Sequence, residues 1–234
     1  HRLGEEVPRW QAAAPPGPLT STSPPLTGQL LVRCTFAPSG SEAVCALSGG
    51  PDSAAMVALA IAAGLRVAAV HVHHGLRPTA DDDASTAERI ARELGASFRC
   101  EYANLDDGPN LEARARASRR QLIGDGACTG HTADDQAETL LLALLRGSGA
   151  TGLASIDPGP THPILALRRH ETQALCAELG LWPAVDPTNN DPRHRRNRVR
   201  SELLPLMNSI AERDMVTLLH RTTGLLRDDD ALLD

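Results

Sequence analysis

The amino-acid sequence predicts an α/β fold, a doubly wound parallel sheet of the Rossmann-like kind with helices at its C-terminal end. Three observations lead there. Short apolar runs at 43–47, 66–72, 97–102 and 126–130 have strand length, and helical patterns at 53–63, 82–94, 110–122 and 133–146 alternate with them. Each helical pattern is followed by a glycine or turn, at Gly64, Gly95, Gly124 and Gly147. Repeated β-α units of this length return as parallel strands with helices on both faces. Ligands in such sheets bind outside the carboxyl ends of the strands, which gathers Ser48–Ser53, His73–Arg77 and Gly130–Asp135 on one rim.

Taken in order, residues 1–29 hold Pro15, Pro16, Pro18, Pro24 and Pro25 among Ser and Thr, and read as a flexible lead-in. The expected division is a flexible extension over 1–40, a catalytic domain over 41–210 and a helical extension over 211–234. After Gly147-Ser148-Gly149 the strand alternation stops; 168–180 and 195–230 look helical, separated by the turn-rich stretch Asp186–Pro192.

Composition narrows the class. The chain has 234 residues, enough for one large domain, and 41% of them are apolar. With only two Trp, one Tyr and two Phe, the core must be aliphatic and Ala-rich. There is no Lys, so all 23 basic residues are Arg, and at net charge −6 any nucleic-acid contact must come from local Arg clusters. The five Cys are scattered, without a Cys-x-x-Cys pair, and read as reduced thiols of a cytoplasmic protein. No 18-residue apolar stretch and no leader pattern is present, so no membrane partner is expected.

The sharpest signal is Ser48-Gly49-Gly50-Pro51-Asp52-Ser53, which ends the first apolar run and opens a helix. Two glycines let the backbone bend with its N–H groups converging, and the helix N-terminus adds partial positive charge; together they make an anion cradle. Ser48 and Ser53 supply hydroxyls, and Ser53 can cap the helix. The Lys of a Walker loop is missing. An ordinary Gly-Pro turn is the bland alternative.

Four further clusters carry chemistry. His71-Val72-His73-His74-Gly75-Leu76-Arg77 follows the second strand; His71 and His73 share a face, but no Cys or carboxylate at ligand spacing completes a metal set. A loop over a bound nucleotide, with His74 beside it and Arg77 on a phosphate, is the preferred reading, and no metal site is assigned. Gly130–Thr139 runs from a strand end into a helix: His131 lies on the rim, and Asp135 and Glu138, at i and i+3, share a face. Plain N-terminal capping is the alternative; beside an activated phosphate, the pair suits a cationic amine, holding the ammonium and accepting its proton. In 110–120, Arg116, Arg119 and Arg120 lie on nearly one face and can neutralise phosphates or bind RNA, while Arg114 reads as solvated. The run 193–200 holds Arg195, Arg196, Arg198 and Arg200, which point to a polyanionic partner such as RNA phosphate.

The six-residue loop resembles the PP-loop of the ATP pyrophosphatases, which cleave ATP between the α and β phosphates and leave an adenylated intermediate. The strings at Ser48–Ser53, His71–Arg77, Asn110–Arg116, Gly130–Ser148 and Asp186–Pro205 together resemble the tRNA(Ile)-lysidine synthetase family, in the same order and over roughly 40–210. The resemblance implies a sheet of the adenine-nucleotide α-hydrolase type, with ATP and Mg²⁺ as cofactors. Its substrates would be free L-lysine and an isoleucine tRNA with a CAU anticodon, whose wobble cytidine is adenylated at the C2 oxygen before lysine displaces AMP. Mapped here, Ser48, Gly49, Gly50, Pro51, Asp52 and Ser53 would hold ATP, with Asp52 by the phosphates or Mg²⁺. Arg116 would stabilise the transferring phosphate, with Arg119 the competing choice because the stretch from Arg120 to Gly130 is shorter than in the family. Asp135 and Glu138 would handle lysine. A tRNA thiolase fits the scattered thiols poorly, an amide ligase leaves the 193–200 run unexplained, and a non-catalytic nucleotide-binding module remains the rival of another class. The oligomeric state stays open, a homodimer included.

Overall fold

The computed structural model describes residues 25–73, 75, 80–103, 111–184 and 191–233. Its sheet has three parallel strands in the order β1 (Glu42–Ala46), β2 (Arg66–His73) and β3 (Ser97–Tyr102), with Cys45 opposite Ala69 and His71 opposite Cys100. The fourth expected strand, over 126–130, is reduced to a single bridge, in which Cys128 N donates to Val44 O and Ala46 N to Cys128 O. Two neighbours prevent a longer pairing. Ala127 N is still bonded to Gly124 O of the preceding turn, and Thr129 N is already drawn to Thr161 O. The bridge lies on the edge of β1 away from β2, so strand order reverses at β1, where doubly wound sheets bind ligands.

Helices cover both faces. One cluster joins Cys45, Leu47, Val67 and Ala69 of the sheet to α2 (Pro51–Ala62), α3 (Ala80–Leu94) and α7 (Arg169–Glu178). On the other face Val70 packs with Ile123 of α4 (Leu111–Ile123) and with Ala127, over Val44, Ala46 and Val72. Every residue of α2 from Ser53 to Ala60 is buried. A helix enclosed on all sides must be apolar all round, and its alanines keep it thin enough to fit. A third cluster links Ala137, Leu140 and Leu141 of α5 (Ala133–Leu144) to Val199, Leu204, Val216 and Leu219.

Two expectations need correction. The 1–40 extension is not loose from residue 26 onward. Its α1 (Leu26–Leu31) buries Leu30 in the main cluster, Thr35 N donates to Pro163 O, and Arg33 pairs with Glu171. Nor is 195–230 one helix. It divides into α8 (Arg195–Arg198), a π-helical turn (Val199–Leu203), α9 (Leu204–Ala211) and α10 (Met215–Leu233), with the short α6 (Ala150–Leu153) completing the set upstream. The chain turns at Glu212, which adopts a left-handed φ of 51°, and Asp214 restarts the helix by accepting from Val216 N and Thr217 Oγ1. α10 is pinned by a buried network: Gln136 Nε2 donates to Thr223 Oγ1 (3.0 Å) and Ile156 O (3.1 Å), and Gln136 Oε1 accepts from Ile156 N. Gly64, Gly95, Gly124 and Gly147 all take positive φ, as helix-ending positions do. No helix among the described residues is long and apolar enough to cross a membrane.

The packing of α1 gives a direct test. Leu30 is 2% exposed and Val32 is 84% exposed. Leu30→Ala is expected to lower unfolding free energy by about 3 kcal/mol in urea titrations, whereas Val32→Ala stays within about 0.5 kcal/mol. Equal, negligible effects would mean that α1 adds nothing to the domain.

Candidate active site

β1 runs into the glycine loop, and the loop is held from behind. Leu47 N donates to Val70 O, and the buried His71 ring donates from Nδ1 to Leu47 O at 2.9 Å. Burial lowers the His71 pKa, which keeps the ring neutral and suits it to this structural bond rather than to a metal. Gly49 takes φ +88°, and a Cβ there would lie 3.1 Å from Asp83 O, so two constraints select glycine. Gly50 is extended and does not need left-handed freedom. Pro51 presets the first helical φ. Ser53 is not the cap; its hydroxyl donates back to Gly50 O (2.9 Å) and lies 3.0 Å from Ser48 Oγ. The loop carbonyls face protein: Gly49 O accepts from Ala184 N, Gly50 O from Ala54 N, and Pro51 O from the Cys176 thiol. Of these three peptides, that of Pro51 has no N–H and Gly50 N donates to Ser48 Oγ (3.4 Å); the Asp52 N–H points away from the Pro51 carbonyl, and no side chain caps the start of α2. An uncapped helix start is the donor arrangement an anion needs.

The second loop comes from the bridge at Cys128. A Cβ on Gly130 would lie 2.9 Å from Asp52 C, Asp52 O and Ser53 N, so the two loops touch backbone to backbone. His131 lies beside this contact, with Nδ1 2.8 Å from Thr129 Oγ1 and its ring 5.2 Å from that of His162. Burial lowers its pKa to about 4, so it is neutral at pH 7.

α7 joins the two loops. Arg169 directs Nε to Asp52 (3.4 Å), Nη1 to Glu138 (3.1 Å) and Nη2 to Asp135 (3.1 Å). One turn later the Thr172 hydroxyl donates to the other oxygen of Asp52. Asp134 accepts from Arg169 N (2.8 Å) and Arg168 Nε (3.1 Å), which fastens the start of α7 to that of α5. Burial raises the Asp52 pKa, and Thr172 and Arg169 only partly offset it. Burial would also raise Asp135, but Arg169, Arg196 and the Thr132 N–H outweigh it and hold the carboxyl below its ordinary value.

Asp135 and Glu138 do meet on one face, yet neither presents an open acceptor. Glu138 is fully buried and accepts from Arg169 Nη1, Arg196 Nε (2.6 Å), Arg200 Nε (2.7 Å) and Arg200 Nη2 (3.2 Å). Asp135 accepts from Arg169 Nη2 and Arg196 Nη2 (3.0 Å) on one oxygen. On the other it accepts from Thr132 N and Oγ1, both at 2.9 Å. The capping alternative therefore holds for Asp135 together with its place in the cluster.

The four arginines expected to meet RNA divide into two kinds. Arg196 and Arg200 turn inward to α5, Arg198 pairs with Glu202, and Arg195 is exposed. Arg114, expected on a solvated face, is half-buried, while Arg119 and Arg120 are exposed. His74 and Arg77 lie outside the described residues, as does the Arg116 side chain. His73 bonds Asp81 at 3.0 Å, and no group of three metal-ligating side chains occurs among the described residues. Arg169 is the residue that the motif reading passed over. Its signal was the basic pair Arg168-Arg169 opening a helix, where the dipole opposes positive charge and anionic partners must compensate.

A glycine loop beside the reversal of strand order, opening a helix that no side chain caps, defines a nucleotide-binding α/β domain. The chain belongs to the PP-loop domain family, whose model matches residues 28–207. It is similar to the tRNA(Ile)-lysidine synthase of Nocardia farcinica (strain IFM 10152), 42% identical over 84% of this chain and 65% of that protein. The enzyme of that name from Mycolicibacterium paratuberculosis (strain ATCC BAA-968 / K-10) is 45% identical over 81% and 61%. The chain thus spans less than two thirds of these relatives. Among solved structures, the U34-tRNA thiolase NcsA from Methanococcus maripaludis, with its 4Fe–4S cluster, superposes with a TM-score of 0.66 at 19% identity, over 86% of this chain and 76% of that one. At that identity the likeness concerns the fold.

Two predictions follow from the contacts. Gly130→Ala should cost about 1–3 kcal/mol and weaken nucleotide binding, whereas Gly126→Ala, where a Cβ meets nothing within 4 Å, should do neither. Calorimetric titration and thermal melts read both; equal behaviour of the two variants would refute the close approach. Arg169→Met, which strips a partner from the buried Glu138 and the half-buried Asp52 and Asp135, should lose about 3–5 kcal/mol, and Arg169→Lys should recover only part because an ammonium cannot span three partners. Full recovery by Lys would show that charge alone is required.

Proposed function

We propose that this chain catalyses tRNA(Ile)-lysidine synthesis: adenylation of the wobble cytidine of a CAU-anticodon tRNA by ATP, followed by ligation of free L-lysine. The observation that carries the reading is the junction at Arg169, which joins Asp52 of the glycine loop to the acidic pair Asp135–Glu138. An activating site and an amine-handling site then abut in one domain. Sequence similarity to the lysidine synthases supports the choice of substrates.

In the first step the cytidine C2 oxygen attacks the α phosphorus and pyrophosphate leaves. Ser48, Gly49, Gly50, Pro51 and Ser53 hold the phosphates through loop hydroxyls and the amides of α2, with His131, His74 and Arg77 contributing from the rim. Arg116 is the candidate for neutralising the transferring phosphate. Mg²⁺ fits Asp52, because each of its oxygens accepts one bond and keeps a lone pair; substrate phosphates would supply the remaining ligands, as is usual for this ion. When bound, the ion supplies charge neutralisation. In the second step the lysine ε-nitrogen bonds C2 and AMP leaves. The ammonium, with a free pKa of about 10.4, must lose a proton first, which calls for a carboxylate nearby. The five thiols are spread over separate elements, with only Cys45 and Cys128 facing each other, and this favours amine over sulfur transfer. The location proposed is cytoplasmic, where these thiols stay reduced.

The test is pyrophosphate release with ATP alone, with added tRNA, and with tRNA plus lysine, followed by mass analysis of the product nucleoside. Release should require the tRNA, and the cytidine should gain lysine less water. Asp52→Asn should keep the far-UV dichroism and slow release by roughly 10²-fold or more, the loss typical when one electrostatic partner of a phosphoryl site is removed. Release without tRNA, or a thiolated nucleoside, would refute the reading.

A further inference from the structure

The acidic pair is already full. A carboxylate offers about four acceptor positions, and all four are taken on both Asp135 and Glu138. Four of those eight bonds come from Arg196 and Arg200. The charges are also balanced, with Arg169, Arg196 and Arg200 against Asp52, Asp135 and Glu138. A lysine ammonium entering this cluster finds neither a free acceptor nor a net negative field. Removing Arg196 and Arg200 leaves one guanidinium against three carboxylates, a field that attracts a cation.

We propose that Arg196 and Arg200 decide when the amine may enter: they occupy the ammonium's acceptors on Asp135 and Glu138 until RNA phosphate draws them away. The inference rests on the function proposed above and adds an order of binding, RNA before lysine. Position supports it. The side chains of Arg196 and Arg200 are 29% and 30% exposed, whereas that of Glu138 is 0% exposed, so the two arginines are the solvent-facing cover of the carboxylate. Arg169, their inner counterpart, is tied to Asp52 as well and stays in place. Both outer arginines belong to the basic run whose exposed members, Arg193, Arg195 and Arg198, meet solvent first. Arg200 also lies in the π-helical turn, a geometry whose hydrogen bonding is readily exchanged for that of an α-helix. A phosphate offers a guanidinium the same bidentate, charge-assisted pairing that the carboxylates do, so the exchange conserves the arginines' bonds while vacating the acceptors. Arg196 and Arg200 are thereby specificity-determining residues that act on the amine through Asp135 and Glu138.

Linkage makes the proposal quantitative: if RNA tightens lysine binding by some factor, lysine tightens RNA binding equally. The experiment is equilibrium dialysis of radiolabelled L-lysine against the chain and a non-hydrolysable ATP analogue, with and without the CAU-anticodon tRNA. Wild type should bind lysine at least about tenfold more tightly with tRNA, a coupling within the common allosteric range. The double variant Arg196→Gln/Arg200→Gln should bind lysine without tRNA and lose the enhancement; Arg200→Gln alone, which keeps half of the outer bonds, should fall between and serves if the double variant does not fold. A purely structural role predicts lower stability with the tRNA enhancement intact, and that result overturns the proposal. So does wild-type lysine affinity that ignores tRNA while lysidine is still formed. Absence of both lysine binding and lysidine product would instead overturn the function on which the inference rests.

Discussion

The arrangement of this domain depends on one half-buried guanidinium. Arg169 is placed where a helix least welcomes positive charge, in the first turn of α7, and it is tolerated because carboxylates from α2 and α5 converge on it. α5, which belongs to a different hydrophobic cluster from α2 and α7, is thereby held at a fixed approach to both. Asp134 repeats the device one residue earlier through Arg168, which also reaches Asp214 at the start of α10. The consecutive arginines thus relate the glycine loop, the acidic helix and the C-terminal helix to one another.

Close backbone contact is the second condition. Charged groups act over the lengths seen here only if the loops carrying them can approach, and Gly130 against Asp52 and Ser53 is where they do. Any side chain at that point would separate α2 from α5 and lengthen every bond of Arg169. Glycine at 130 and arginine at 169 are therefore two parts of one requirement, and both meet at Asp52.

Much of this was legible in the sequence, and the parts that were not have physical reasons. Periodicity located β1, β2, β3 and helices α2 to α5 within a few residues, because each buries an apolar run or stripe. It overstated the strand at 126–130, since an apolar run records burial and not ladder pairing, and here the turn at Gly124 and the pull of Thr161 leave one bridge. It missed α1, whose six residues are too few to display a period. In the site, motif spelling found Asp52, Asp135 and Glu138 but not their common partner, because Arg169 is separated from them by more than 30 residues in either sense and belongs to no glycine-marked turn. The run at 193–200 points to an RNA partner from charge alone. Charge density does not tell which way a side chain turns, and the carboxylates that turn Arg196 and Arg200 inward lie about 60 positions earlier.

The enclosure of α2 has a mechanical meaning. Eight consecutive buried residues, four of them alanine with one each of serine, methionine, valine and leucine, leave little void around the helix, and close-packed interiors of this kind are hardly compressible. The anion-facing end of the domain is thus anchored to its least compliant element, while the arginine run sits on a four-residue helix and a π-helical turn with far less packed around them. The two parts of the site therefore differ in compliance: the glycine loop is backed by a close-packed helix, and the arginine run yields more readily.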